Sequence, residues 1–218
     1  PLELAGRDIY VREGCYNCHS QQIRPIFAET KRFGEYSKPG EFVYDHPFQW
    51  GSRRIGPDLA REGVTNPSPE WHLAHFRNPQ AYSSGSIMPG YAFLLEAQLD
   101  FDGIQPRINA MAMLGVPYGS AVAGNAVNMA REQAALVATA AIEKNSPPEE
   151  MVPPALVEKV KAQGMASLTP AEKASLIDTM KEREVIALIA YLQRLGTDIG
   201  KPPPAAPDAK AASTAGGK

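Results

Sequence analysis

The most regular hydrophobic pattern lies near the end of the chain, from Lys181 to Leu195. Apolar residues there occupy the i, i+3, i+4 and i+7 positions of one helix face, and Gly196 predicts where the helix ends. At the other end, Leu2 to Glu13 predicts a helix in which Gly6 allows a second backbone to approach closely. The apolar positions of the last helix are Val185, Leu188, Ile189 and Leu192.

Helical patterns also predominate between these two segments, so we predict an all-α protein. Thr65 to Asn78 carries start signals at Asn66 or Ser68, and Pro79 marks its end. A capping threonine, Thr169, precedes another helix. The remaining predicted helices are Asp102 to Leu114, an Ala-rich Ser120 to Lys144, Leu156 to Gln163, and Pro170 to Met180.

The segment from Ser20 to Arg54 breaks the helical pattern. Several prolines and a glycine interrupt it, so we predict a long ordered loop. The loop is rich in aromatic rings, which favours either cover over a large apolar ligand or a satellite core. These rings belong to Phe27, Phe33, Tyr36, Phe42, Tyr44, Phe48 and Trp50.

One uncharged stretch, Ile108 to Ala130, is long enough to span a membrane because it runs for 23 residues. It contains three asparagines, few strongly apolar residues and the turn-like Gly115-Val116-Pro117-Tyr118-Gly119. We therefore predict two helical pieces separated by a turn and no membrane span.

Composition limits the class of protein. The chain has 218 residues, enough for one domain with a tail, and its 44% hydrophobic content can form a core. Its formal net charge is −2 and no basic stripe is present, which argues against nucleic acid and favours protein partners. Lys201 to Lys218 is rich in Pro, Ala and Gly and predicts a disordered tail, which leaves residues 1–200 as the domain.

The candidate chemistry lies in Cys15-Tyr16-Asn17-Cys18-His19, which contains both cysteines of the chain. C-x-x-C-H is the attachment sequence of a c-type haem, in which each thiol adds across one vinyl group and the histidine ligates the iron. A redox dithiol would need a strand-helix setting, and a zinc site would need two more Cys or His ligands. The other histidines, at positions 46, 72 and 75, lack a ligand-like spacing to this cluster. We therefore predict covalent haem.

Four longer sequence motifs resemble those of a known family. In chain order, they resemble the monohaem subunit of cbb(3)-type cytochrome c oxidase over roughly residues 2–118 and 181–199. An amino-terminal membrane anchor, usual in that family, is not in this sequence, and residues 120–180 form a longer segment than expected. The four motifs are His19-Ser20-Gln21-Gln22-Ile23-Arg24-Pro25, Tyr44-Asp45-His46-Pro47-Phe48-Gln49-Trp50-Gly51-Ser52, Gly56-Pro57-Asp58-Leu59-Ala60-Arg61 and Leu114-Gly115-Val116-Pro117-Tyr118.

The resemblance implies a cytochrome c-like fold with terminal helices crossing near Gly6, long haem-covering loops and an inserted helical segment at 120–180. It implies one covalently attached haem c, held by Cys15 and Cys18, with His19 and Met88 as the axial iron ligands. Met88 suits that role because a thioether is a soft donor and the residue lies in a Pro-ended loop, 69 residues after His19.

The resemblance also implies that the Pro57 carbonyl accepts a hydrogen bond from the His19 ring, although the proline could belong to an ordinary turn. Other side chains near the motifs are further candidates for the haem site. Arginine forks match haem propionates, and large rings can pack on the porphyrin, but surface or core positions explain such residues equally well. The candidates are Arg24, Arg53 and Arg54 for the propionates, and Trp50 and Tyr91 for the porphyrin.

As to function, the resemblance implies a relay of single electrons from a c-type donor to an oxygen-reducing subunit. The implied partners are the haem-copper catalytic subunit and the dihaem c-type subunit, at the periplasmic face of the bacterial inner membrane. Membrane association would come from an anchor absent from this sequence or from a fused subunit. The isolated domain is expected to transfer electrons without reducing oxygen.

Two alternative functions remain open. A free periplasmic electron shuttle would be fully active without membrane partners. A haem-based sensor with a labile sixth ligand would bind carbon monoxide in its reduced state.

Overall fold

Helices dominate the computed structural model, which describes residues 1–143 and 147–199, and no strand occurs among those residues. The predicted all-α class is confirmed. Short 3₁₀ turns, such as Cys15–Asn17 and Gly119–Ala123, connect several of the helices. The α-helices are α1 (Leu2–Arg12), α2 (Phe27–Phe33), α3 (Glu62–Thr65), α4 (Pro69–Arg77), α5 (Ile104–Met113), α6 (Ala126–Ile142), α7 (Pro154–Gln163), α8 (Pro170–Lys181) and α9 (Glu184–Arg194).

The first and last helices cross at Gly6, as the sequence predicts. A Cβ added at Gly6 would lie 1.9 Å from the carbonyl oxygen of Ala187, so the two backbones are in direct contact there. The rings of Tyr10 and Tyr191 meet one turn further on, with centroids 5.5 Å apart. Every residue of α9 from Val185 to Leu192 is buried, which makes this helix the centre of the core.

Helix α6 presents a row of small buried side chains to this core. It packs against α1, α4, α5, α8 and α9, because alanines let the neighbouring backbones come close. The helical character predicted for residues 120–180 is therefore confirmed, while its status as an insertion stays a prediction. The buried alanines are Ala126, Ala130, Ala134, Ala138 and Ala141.

The uncharged stretch forms two helices, α5 and α6, separated by a turn, as predicted. Helix α6 begins at Ala126 and not at Ser120, because Gly119 and Gly124 have positive φ values of 55° and 88°. The 3₁₀ turn at Gly119–Ala123 therefore ends at Gly124, before the helix starts. None of the described helices combines the length and apolar character needed to cross a bilayer.

Helix α2 lies inside the segment predicted as a continuous loop, so that prediction is wrong for residues 27–33. The only buried residue of α2 is Glu29, while Phe27 is 80% exposed. A helix whose buried residue is charged shows no apolar period, which explains why the pattern did not reveal it. Gly34 ends the helix with a φ of 96°.

The break between α8 and α9 comes later in the chain than the predicted position between Met180 and Lys181. Helix α8 continues to Lys181, and Arg183 is extended before α9 begins at Glu184. The break pairs with a neighbouring segment, since the Glu184 amide donates to the Ala97 carbonyl at 2.9 Å. The predicted end of the Ala-rich helix at Lys144 and the predicted tail lie outside the described residues.

We predict that Gly6→Ala destabilises the fold by more than about 2 kcal/mol, because the new Cβ must push the two helix backbones apart. Gly40→Ala is the matched control, since a Cβ there meets nothing within 4 Å. Chemical denaturation of both variants measures the effect. Equal unfolding free energies for the two variants would contradict the crossing.

Candidate functional site

The two cysteines and the following histidine lie on one tight turn at the end of α1. Gly14 adopts a left-handed conformation and leads into the 3₁₀ turn at Cys15–Asn17. The Cys15 carbonyl then accepts from the amides of Cys18 at 3.1 Å and His19 at 3.0 Å. Both thiols are free and partly buried, and burial raises the pKa of Cys15 to about 12. The turn therefore presents two thiols beside an imidazole.

The His19 ring is fixed by the segment that contains Pro57. Its Nδ1 lies 2.8 Å from the Pro57 carbonyl oxygen, the contact that the resemblance implied. A carbonyl can only accept, so Nδ1 carries the hydrogen and donates it. The lone pair of Nε2 is then left available for a metal ion.

Gly56 is a site residue that the sequence reasoning did not single out. A Cβ at this position would lie 2.2 Å from Cε1 of His19 and 2.7 Å from both ring nitrogens. The backbone of Gly56 thus lies directly against the imidazole, and its amide donates to the Cys18 carbonyl at 3.0 Å. The sequence signal that could have identified Gly56 is its position immediately before Pro57, whose carbonyl was predicted to accept a hydrogen bond from the His19 ring.

The buried Asp58 connects the segment that follows His19 to the segment that follows Pro57. Its Oδ2 accepts from the Ser20 hydroxyl at 2.6 Å and from the Gln22 amide at 2.9 Å. Its Oδ1 accepts from the Ala60 amide at 2.8 Å. Arg54 donates to Oδ2 as well, at 3.3 Å, and a carboxylate that accepts these four hydrogen bonds holds the segments in register.

Two of the candidate propionate partners, Arg24 and Arg54, are engaged with another carboxylate. Both pair with the buried Glu29 of α2, and Arg54 also donates to the Gln22 carbonyl at 2.7 Å. Arg54, with Arg24, holds the pKa of Glu29 well below its ordinary value. Arg53 is exposed. A propionate role for these arginines stays a prediction. In the structure, their contacts hold together separate parts of the loop that follows His19.

Trp50 belongs to a cluster of rings within the long loop. It stacks on Phe48 with centroids 4.7 Å apart and meets Phe42 edge-on at 5.6 Å. Its carbonyl accepts from the Gln21 amide at 2.7 Å, which places the cluster next to the chain that follows His19. Phe42 is buried while Phe48 and Trp50 are exposed, so a satellite core and cover over a large apolar ligand both stay predictions for these rings. Contact between Trp50 and a porphyrin stays a prediction.

Met88 lies in a loop that returns to the end of α4. The loop is anchored by the Tyr91 amide, which donates to the Phe76 carbonyl at 2.7 Å. The Met88 sulfur lies 3.2 Å from Nε2 of His75, whose ring stacks on Trp71 at 4.7 Å. The sequence placed Trp71 and His75 on one side of a helix but gave no sign that this side meets Met88.

The Met88 loop lies near the cysteine turn. Burial raises the pKa of Tyr91, and the negative charge of Cys15 and Cys18 in their deprotonated forms raises it further, so this ring is near both cysteines. Burial lowers the pKa of His75, and His19 is among the charged groups that lower it further. Tyr91 therefore lies within electrostatic range of the cysteines, and His75 within that of His19.

The residues of this site fit a haem c. They supply two thiols, an imidazole with a free Nε2 and a thioether, which is the donor set that such a group requires. Three large apolar side chains one or two residues from Gly56, Met88 and Tyr91 in the sequence are more than half exposed. They are Ile55 at 53%, Ile87 at 79% and Phe93 at 52%.

Two cavities lie elsewhere on the described part of the protein. One of about 190 Å³ lies between α1, the end of α9 and the loop at Asp45, and one of about 880 Å³ lies beside Trp71 and Tyr82. Neither is lined by Cys15, Cys18 or His19.

We predict that Gly56→Ala disturbs His19, because a Cβ 2.2 Å from the ring must displace either the imidazole or the Pro57 carbonyl. The variant should lose more than about 2 kcal/mol of folding stability and incorporate less haem during maturation. Denaturation and haem content measure these effects. Pro57→Ala is the control, since it keeps the carbonyl that His19 needs; equal haem content in both variants would contradict the close packing.

Comparison with known families gives one match. The family model described as "Cytochrome C oxidase, mono-heme subunit/FixO" matches residues 1–199. The match includes residues 120–180, which the sequence motifs did not cover. No curated protein matches the chain.

Proposed function

The chain belongs to the mono-haem subunit/FixO family of cytochrome c oxidase, and on that premise we propose that it relays single electrons through one covalently bound haem c. The resemblance to the monohaem subunit of the oxidase is confirmed by this match. Members of the family are subunits of an oxidase with one haem each. Covalent attachment, the axial ligands and the direction of electron flow belong to the proposal.

The observation that carries the proposal is the geometry around His19. Cys15, Cys18 and His19 share one turn, and the hydrogen bond from Nδ1 to the Pro57 carbonyl makes Nε2 the nitrogen that carries the lone pair in the neutral imidazole. An unprotonated imidazole nitrogen is what an iron ligand needs, and a partner on the other nitrogen fixes the ring orientation. Two thiols on the same turn would hold the porphyrin edge beside that nitrogen.

Met88 is proposed as the second axial ligand. It lies in contact with His75 on the loop that also carries Tyr91, whereas Met111 is buried in the core and Met113 is 89% exposed on α5. When bound, the haem supplies a centre that gains and loses one electron. The chain contributes the ligands, the apolar surroundings and the surface that its partners contact.

Within the oxidase, the proposed donor is the dihaem c-type subunit and the proposed acceptor is the haem-copper catalytic subunit. The proposed location is the periplasmic face of the bacterial inner membrane. With His19 and Met88 both bound to iron, no position would be open for oxygen, so oxygen reduction would take place in the partner subunit. This ligand set also separates the proposal from a sensor with a labile sixth ligand.

Covalent attachment is tested by the intact mass of the chain matured in a host that attaches haem. We predict the mass of the polypeptide plus one haem, unchanged after extraction with acidified organic solvent. The variant with both Cys15→Ala and Cys18→Ala should give the mass of the polypeptide alone, because it lacks the bond-forming sulfurs. Haem that is extracted from the unaltered chain would refute the attachment.

The relay is tested in the assembled oxidase carrying this subunit. Met88→Ala should slow oxygen uptake driven by a c-type donor at least about tenfold, equivalent to about 1.4 kcal/mol in the barrier, because loss of the thioether lowers the haem potential. Met113→Ala is the matched control, since its side chain is exposed. Assembly and haem content are measured in parallel, and normal uptake by a fully assembled Met88→Ala oxidase would exclude the relay through this ligand set.

A further inference from the structure

The contact between His75 and Met88 has no role in the attachment chemistry. Nε2 of His75 lies 3.2 Å from Sδ of Met88, within the range for a hydrogen bond to sulfur. A thioether sulfur has two lone pairs and no hydrogen, so it can only accept. A metal ion would use one lone pair of Sδ, and the other remains available to His75.

The position of the imidazole hydrogen follows from its surroundings. Nδ1 of His75 is buried and has no protein partner among the described residues. A hydrogen on Nδ1 alone would leave a buried donor unpaired and would place the Nε2 and Sδ lone pairs face to face. A hydrogen on Nε2 replaces that repulsion with a hydrogen bond to Sδ and leaves Nδ1 as an unpaired acceptor instead, and the doubly protonated ring also carries a hydrogen on Nε2. Nε2 is therefore the donor in either protonation state.

The imidazole is held in place by α4 and its neighbours. Its plane lies 9° from that of Trp71, with centroids 4.7 Å apart, and the Tyr82 ring lies 6.3 Å away. The Ser68 hydroxyl accepts from the Trp71 amide at 3.2 Å and caps the helix that carries both rings. His75 is thus a fixed donor, while Met88 lies on a loop.

We propose that His75 is a positioning residue for Met88, which donates a hydrogen bond from Nε2 to the thioether and so sets its orientation and its donor strength. A hydrogen bond withdraws electron density from the sulfur, and a weaker sulfur donor stabilises ferric iron less. The bond therefore raises the reduction potential of the haem. This inference rests on the proposed function, because it requires Met88 to be an iron ligand.

The test uses the haem-loaded protein and two variants of His75. His75→Phe keeps a flat ring for the Trp71 stack but removes the donor, so it should keep low-spin methionine ligation with a lower midpoint potential. His75→Gln offers an amide hydrogen near the position of Nε2, so its potential should lie between that of His75→Phe and that of the unaltered protein. A purely structural role would lower stability in both variants without this order of potentials.

Nitrogen NMR on the unaltered protein complements the measurements on the variants. Nitrogen NMR of the reduced protein, labelled at histidine, should show the His75 hydrogen on Nε2. A hydrogen on Nδ1 with a bare Nε2, or an unchanged potential in folded His75→Phe, would overturn the inference.

Met88→Ala separates failure of the inference from failure of the proposed function. If Met88→Ala leaves the axial-ligand spectrum unchanged, Met88 is not a ligand and both fall. If Met88→Ala changes the spectrum while His75→Phe keeps the potential of the unaltered protein, only the role of His75 is refuted.

Discussion

The structure depends on the crossing of α1 and α9, where a glycine allows one backbone to rest on the other. With Gly6 against the carbonyl of Ala187, the direction of α1 is fixed relative to the most buried helix of the core. The turn bearing Cys15 begins where α1 ends, so the same contact sets the position of the candidate site. Helix α6 packs on both crossing helices through its alanines, which extends the core over the segment 120–180.

Buried polar contacts then hold the loops around this core. Asp58 and Glu29 are both buried carboxylates, and each is satisfied by several donors from segments far apart in the sequence. Arg54 connects the two, since it pairs with Glu29 and with Asp58. Removing one partner of such a network leaves a buried charge uncompensated, so the cost of breaking it exceeds its net contribution to stability. This network fixes the segments on either side of Pro57 and thereby the carbonyl that orients His19.

Much of this arrangement could be predicted from local sequence, and the part that could not has a physical reason. The cysteine motif, the terminal helices and the Thr169 cap are local signals, and the structure has all of them, with α9 beginning at Glu184 and not at Lys181. Helix α2 escaped prediction because its buried face is a charged residue whose partners lie elsewhere. The contact between His75 and Met88 also escaped it, since their approach depends on how the loop after α4 folds back. The propionate roles of Arg24, Arg53 and Arg54 and the porphyrin roles of Trp50 and Tyr91 stay predictions, because they depend on the same kind of long-range placement.

The central claim is that this chain holds one haem between His19 and Met88. Its most direct test is methyl NMR of the reduced, haem-loaded protein labelled at its seven methionines. When the sulfur of a methionine binds haem iron, its methyl group lies over the porphyrin ring and is strongly shielded by the ring current. We predict one strongly shifted methyl resonance, assigned to Met88, with the other six in the ordinary range. Seven ordinary resonances, or a shifted one assigned to Met111 or Met113, would contradict the account.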